Sequence, residues 1–134
     1  MTKEYQKGLA EALALAPVVP VMVIENVEDA VPLARALVRG GLPVLEITLR
    51  TADALECIKA VIAEVSGITV AAGTVTTRQQ LEAVSRLGCA FAVSPGSTSS
   101  LLAAAGDSAI PFLPGAATVT EVMKLREAGY AFQK

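Results

Sequence analysis

Aliphatic and β-branched runs begin near residues 18, 43, 68, 90, 110 and 130, each followed by a turn and a segment with helical spacing. A strand–turn–helix unit recurring every 20–25 residues or so is the signature of βα repeats. Successive parallel strands need crossovers, and crossovers of one hand leave two outcomes: an open doubly wound sheet or a closed eight-stranded barrel. A complete barrel usually takes about 200 residues or more; this chain has 134. The repeat therefore predicts one α/β domain over residues 1–134, the first five and a half or so βα units of a (β/α)8 TIM barrel, truncated on its C-terminal side.

Local signals place the units. Residues 5–15, with Leu9, Ala12, Leu13 and Ala16 on one face, predict an amphipathic helix covering one end of the body. Residues 18–24 read as a first strand despite Pro20, which removes a ladder donor. Asn26 opens a helix that runs to Arg39, with Pro32 delaying or kinking it and Gly40-Gly41 stopping it. Thr51-Ala52-Asp53 caps a helix whose buried stripe reads Ala54, Leu55, Ile58, Val61 and Ile62, closed by Gly67. A third strand spans 68–72, and Thr77 with Gln80 forms a capping box before Leu81, Val84 and Leu87. Gly88 ends that helix. Residues 91–93 form a fourth strand, 99–105 a short helix and 110–113 a fifth strand. Thr118 and Glu121 make a second capping box, Gly129 stops its helix, and 130–134 begin a sixth strand.

Composition limits the function. With 53% hydrophobic and 18% charged residues the chain can bury a core and is not disordered. A formal charge of −2 without a Lys/Arg run gives no nucleic-acid or anionic-membrane surface. Apolar tracts are interrupted too often to span a membrane, and residues 1–14 lack a signal-peptide centre. A cytoplasmic protein acting on small molecules follows. Cys57 and Cys89 stand alone and read as packing residues of a reduced compartment. Histidine is absent, which removes Ser-His-Asp and Cys-His catalysis and imidazole metal ligands. Acid–base chemistry falls to Glu, Asp, Lys, Tyr or Cys. Magnesium held by carboxylates stays open, without a motif in its favour.

The second strand carries charge. Alternation puts Val44, Glu46, Thr48 and Arg50 on one face and Leu45, Ile47 and Leu49 on the other. With helices over the aliphatic face, the polar face looks into a barrel, where a carboxylate needs a partner or a task. By itself Glu46 reads equally as a catalytic group or a structural ion-pair acid. Arg50 alone is a solvated or capping charge, Gly73-Thr74 and Ser94-Pro95-Gly96 are turns, and Lys134 is an exposed end residue. The barrel rule gathers them, because carboxyl ends of strands share one mouth: Glu46, Thr48, Arg50, Gly73-Thr74, Ser94-Pro95-Gly96, Pro114-Gly115 and Lys134.

Five motifs in order, Pro17-Val18-Val19-Pro20-Val21, Leu45-Glu46-Ile47-Thr48-Leu49-Arg50-Thr51, Ala72-Gly73-Thr74-Val75, Val93-Ser94-Pro95-Gly96 and Ile110-Pro111-Phe112-Leu113-Pro114-Gly115, resemble the 2-dehydro-3-deoxy-6-phosphogluconate (KDPG) aldolases. The likeness runs from about Ala16 to the last residue. It implies a class I aldolase on a (β/α)8 barrel, typically trimeric, that splits the sugar-acid phosphate into pyruvate and glyceraldehyde 3-phosphate. Many members also act on 4-hydroxy-2-oxoglutarate (KHG). The resemblance makes Lys134 the Schiff-base lysine, although the Phe-Phe-Pro-Ala-Glu that follows it in the family is not present. It makes Glu46 the proton-transferring acid, and lines the pyruvate carboxylate and keto end with Arg50, Thr74 and Pro95. No metal or cofactor is implied, and the phosphate-binding residues are expected beyond residue 134. Competing readings are a galactonate-type keto-acid aldolase, a metal-assisted lyase using Glu46, and a non-catalytic half-barrel that pairs with another chain.

Overall fold

The computed structural model describes residues 3–134, with side chains from Lys7 onward. Helix α1 (Lys3–Leu13) precedes five βα units: β1 (Val21–Met22), α2 (Val27–Arg39), β2 (Val44–Thr48), α3 (Ala54–Glu64), β3 (Thr69–Gly73), α4 (Arg78–Arg86), β4 (Phe91–Val93), α5 (Ser99–Gly106), β5 (Phe112–Leu113) and α6 (Val119–Glu127). The strands pair in sequence order as a five-stranded sheet, parallel throughout. This is the wall of a (β/α)8 barrel.

Register fixes which side chains share a face. Val21 pairs with Glu46, Glu46 with Ala71, and Ala71 with Phe91, so these four form one layer of the concave face. Leu45, Ile47, Val70, Ala72, Ala92 and Phe112 point the other way and pack under the helices with Ala30, Ile58, Val61, Leu81 and Leu125. Inside the concave face, Leu9, Ala12 and Ala16 pack on Val44, Ala71, Phe91 and Val93. Helix α1 thus plugs one end of the wall, as its apolar face predicts, and Gly8 lies against Pro111 just before β5. The sheet separates two cores, one per face.

Several helix ends follow their sequence signals. Gly41, Gly67, Gly88 and Gly129 all take positive φ, the left-handed geometry that ends a helix without a Cβ penalty. Thr118 accepts from the Glu121 N–H while the Glu121 carboxylate accepts from the Thr118 N–H, a complete capping box. The Ala117 N–H and then the Thr118 N–H, both donated to the Glu121 carboxylate, hold that carboxyl below its ordinary range. Thr77 accepts from the Gln80 N–H, but Gln80 Oε1 reaches back to the N–H of Thr76 rather than Thr77.

Other details differ from expectation. Helix α2 starts at Val27 with Pro32 inside it, so the proline does not delay the start; it removes one intrahelical donor. Asn26 bonds Asp29 with its side chain instead of capping. In α3 the buried residues are Ala54, Cys57, Ile58 and Val61, whereas Leu55 is exposed and Ile62 half-buried. β1 and β5 are shorter than their apolar runs. Residues 130–134 carry no strand. The Lys134 N–H nevertheless donates to Pro114 O, and the Ala116 N–H donates to Lys134 O, both at 2.9 Å. This one parallel bridge, centred on Gly115, puts Lys134 where a sixth strand would lie.

Among the described residues β1 has one neighbour, and Val18, Val21 and Val23 on that edge are exposed, as are Val119 and Met123 on α6. No helix of the described residues is long and apolar enough to cross a membrane.

Candidate active site

Glu46 occupies the middle of β2, where alternation turns it to the concave face and neighbouring strands cover it to 4% exposure. A carboxylate so placed needs a cation or several donors. The Lys134 ammonium supplies them: Nζ lies 3.2 Å from Oε1 and 3.4 Å from Oε2. The two side chains are unequally covered, 42% exposed for lysine and 5% for glutamate. A solute can therefore reach the amine while the acid stays behind it. The contact joins β2 to the position of a sixth strand, so the wall curves far enough for these residues to meet across its interior.

The remaining groups stand on the same rim. Thr48, fully buried, donates its hydroxyl to Met22 O at 2.9 Å and ties β2 to β1 at the height of the site. Arg50 Nε donates to Thr74 Oγ1 at 3.1 Å. Thr74 has φ +58°, a left-handed conformation rare for a β-branched residue and costing roughly 1–3 kcal/mol. That backbone leaves the Thr74 hydroxyl on Arg50. Ser94 is fully buried and its Oγ accepts from the Gly115 N–H at 3.4 Å. A Cβ on Gly115 would overlap the Ser94 and Pro95 backbone, so the Ser94-Pro95 turn rests directly on the residue that the Lys134 bridge brackets.

The structure thus joins Glu46 to Lys134 and Arg50 to Thr74, and sets the backbone of the exposed Pro95 against Gly115, the residue that the Lys134 bridge brackets. Sequence reasoning gathered Gly73, Thr48, Ser94 and Gly115 at the barrel mouth but gave none of them a contact or a role. Their contacts are cross-strand, and the one local signal was a glycine at a strand end, which marks close approach. Burial raises Cys89 to about 12 and also raises Tyr130. Cys57 is raised by burial and then by Asp53. All three lie in the helix-side core, away from the site. A separate groove of about 260 Å³ between α4 and α5, lined by Arg78, Leu81, Ser85 and Ala104, is on the outer layer. Among the described residues no three acidic or cysteine side chains gather as a metal-ligand set.

A parallel β/α wall whose interior holds a lysine against a buried carboxylate defines a barrel protein with its polar cluster at the strand ends. The chain belongs to the KDPG and KHG aldolase family, whose model matches residues 9–134. It is 46% identical over its whole length to a 2-dehydro-3-deoxy-phosphogluconate aldolase of Pseudoalteromonas atlantica, covering 62% of that protein. It is 48% identical over 90% of its length to the KHG/KDPG aldolase of Escherichia coli K12, covering 57% of it. Among solved structures, the KDPG aldolase of Legionella pneumophila, with pyruvate captured as a covalent carbinolamine, superposes with a TM-score of 0.85 at 45% identity. That match covers 89% of this chain and 58% of the other. The chain spans about 60% of the length of these relatives.

Proposed function

We propose that the chain carries the imine-forming site of a class I aldolase that cleaves KDPG to pyruvate and glyceraldehyde 3-phosphate and also accepts KHG. The observation that carries this reading is the Lys134–Glu46 contact, a reachable amine in hydrogen-bond distance of a buried carboxylate. Unprotonated Lys134 Nζ adds to the C2 carbonyl of the keto acid, giving a carbinolamine. Glu46 delivers a proton to the departing hydroxyl, which leaves as water, and the resulting iminium is the electron sink for cleavage between C3 and C4. A proton leaves the C4 hydroxyl, the aldehyde departs, and the enamine takes a proton at C3. Water then releases pyruvate and restores the amine.

Arg50, with Nε fixed on Thr74, has two Nη groups to grip the substrate carboxylate in bidentate fashion. Pro95 supplies an apolar edge beside the keto group. The carbinolamine held by the Legionella relative and the KHG/KDPG name of the Escherichia relative support both the covalent route and the second substrate. The assembly on this reading is a homotrimer, and sedimentation showing only monomer would overturn that part.

Borohydride added with pyruvate tests the chemistry. The expected result is one reduced pyruvate adduct per chain, mapped to Lys134. An unmodified Lys134 under turnover conditions overturns the assignment. Relative turnover of KDPG, KHG and the galactonate epimer then ranks the substrates.

A further inference from the structure

Gly73 ends β3, one residue before Thr74, and pairs in register with Thr48. The Glu46 side chain leans along the concave face until its carboxylate occupies the space above Gly73. A Cβ built on Gly73 would overlap Oε1 and come within 2.6 Å of Cδ and 2.7 Å of Cγ of Glu46. Gly73 does not have the positive φ of the helix-stop glycines. Alanine is therefore allowed by the backbone here, and the contact with Glu46 is what excludes it.

We infer that Gly73 is a positioning residue: its missing side chain is the trough in which the Glu46 carboxylate lies, and this sets the carboxylate within reach of Lys134. Any side chain at 73 pushes the acid off the amine. The catalytic part of this inference rests on the reading of Glu46 and Lys134 given above; the steric part does not. Misplacing a proton-transfer group by about 1 Å is enough for a loss near 100-fold. Gly73→Ala should therefore lower kcat and the rate of borohydride-trapped imine formation by roughly that factor, with KM for pyruvate changed much less, since Arg50 and Thr74 are untouched.

The test is a double-mutant cycle of Gly73→Ala with Glu46→Asp and Glu46→Ala, followed by thermal melting and by trapping rates. Shortening the acid by one methylene removes the Oε1 overlap but leaves a carboxyl carbon at the Cγ position near the new Cβ, so Gly73→Ala/Glu46→Asp should recover only part of the melting penalty of Gly73→Ala. The pH profile of trapping should change in Gly73→Ala and return toward that of Glu46→Asp in the double variant. In the Glu46→Ala background the melting penalty of Gly73→Ala should vanish, and this holds even if the single variant folds poorly. A Gly73→Ala penalty that persists undiminished beside Glu46→Ala overturns the trough. Coupling in melting without any effect on trapping would leave the trough standing and overturn the aldolase reading of Glu46.

Discussion

The unequal covering of Glu46 and Lys134 leads to an unequal response when either is removed. At 3.2 Å and an effective dielectric near 20, the gross attraction is about 5 kcal/mol. Most of it offsets desolvation of the carboxylate, whose side chain is 5% exposed, rather than of the ammonium, which is 42% exposed. Lys134→Met leaves a buried charge with no cation, and the cost should approach the lower end of the range for broken buried pairs, about 3 kcal/mol. Glu46→Gln leaves an ammonium that water can reach, and its cost should resemble that of an exposed pair, below about 1 kcal/mol. Activity should fall in both, with Glu46→Gln slowing imine formation by roughly 10²–10⁴. Urea unfolding of the two variants and the parent measures the difference, with m-values checked for equality so that midpoints report stability. The reasoning is refuted if Glu46→Gln is destabilised as much as Lys134→Met.

Leu9→Ala removes the α1 side chain that packs with Val44, Ala71 and Phe91 at 1% exposure; it should cost about 2–5 kcal/mol by urea unfolding, and a change under 1 kcal/mol would show that α1 is not a true plug. Thr74→Val keeps the β-branch but drops the hydroxyl that anchors Arg50 Nε. KM for pyruvate should rise roughly fivefold, as for loss of one hydrogen bond near 1 kcal/mol, with kcat nearly unchanged. Cys89, at about 12 when folded, should react with iodoacetamide at pH 8 roughly a thousandfold more slowly than after denaturation, since only the thiolate attacks. The same raised value favours the native state fully below the unfolded thiol range near 9. That advantage is lost as pH rises toward 12, by about 1.4 kcal/mol per unit, so a Cys89→Ala variant should show a flatter alkaline melting curve.

The order of elements was legible because its determinants are local. Thr118 with Glu121, and Gly67, Gly88 and Gly129, act within one turn of chain. The facing of Glu46 followed from strand alternation, and its partner Lys134 from the family resemblance. What escaped was cross-strand. Nothing near Gly73 in sequence shows that a carboxylate 27 positions earlier will lie on it, because that depends on the register of β2 with β3. Likewise, the Ser94 hydroxyl meets Gly115 only once β4 and β5 pair. In α3 the phase was slightly off: Leu55 and Ile62 flank the stripe that Ala54, Cys57, Ile58 and Val61 fill. Apolar character alone does not separate a stripe's centre from its margin.

Lys134 and Glu46 are separated by 88 positions along the chain. Bringing the ends of such a stretch together in a disordered chain costs about 4 kcal/mol in the logarithmic estimate, before any constant term, more than a half-exposed ion pair returns. The pair alone therefore cannot draw the wall into its curve, which is left to strand pairing and helix packing. On the proposed reading of Lys134, imine trapping should therefore report assembly of the whole wall during refolding, with its signal expected to lag recovery of helical circular dichroism.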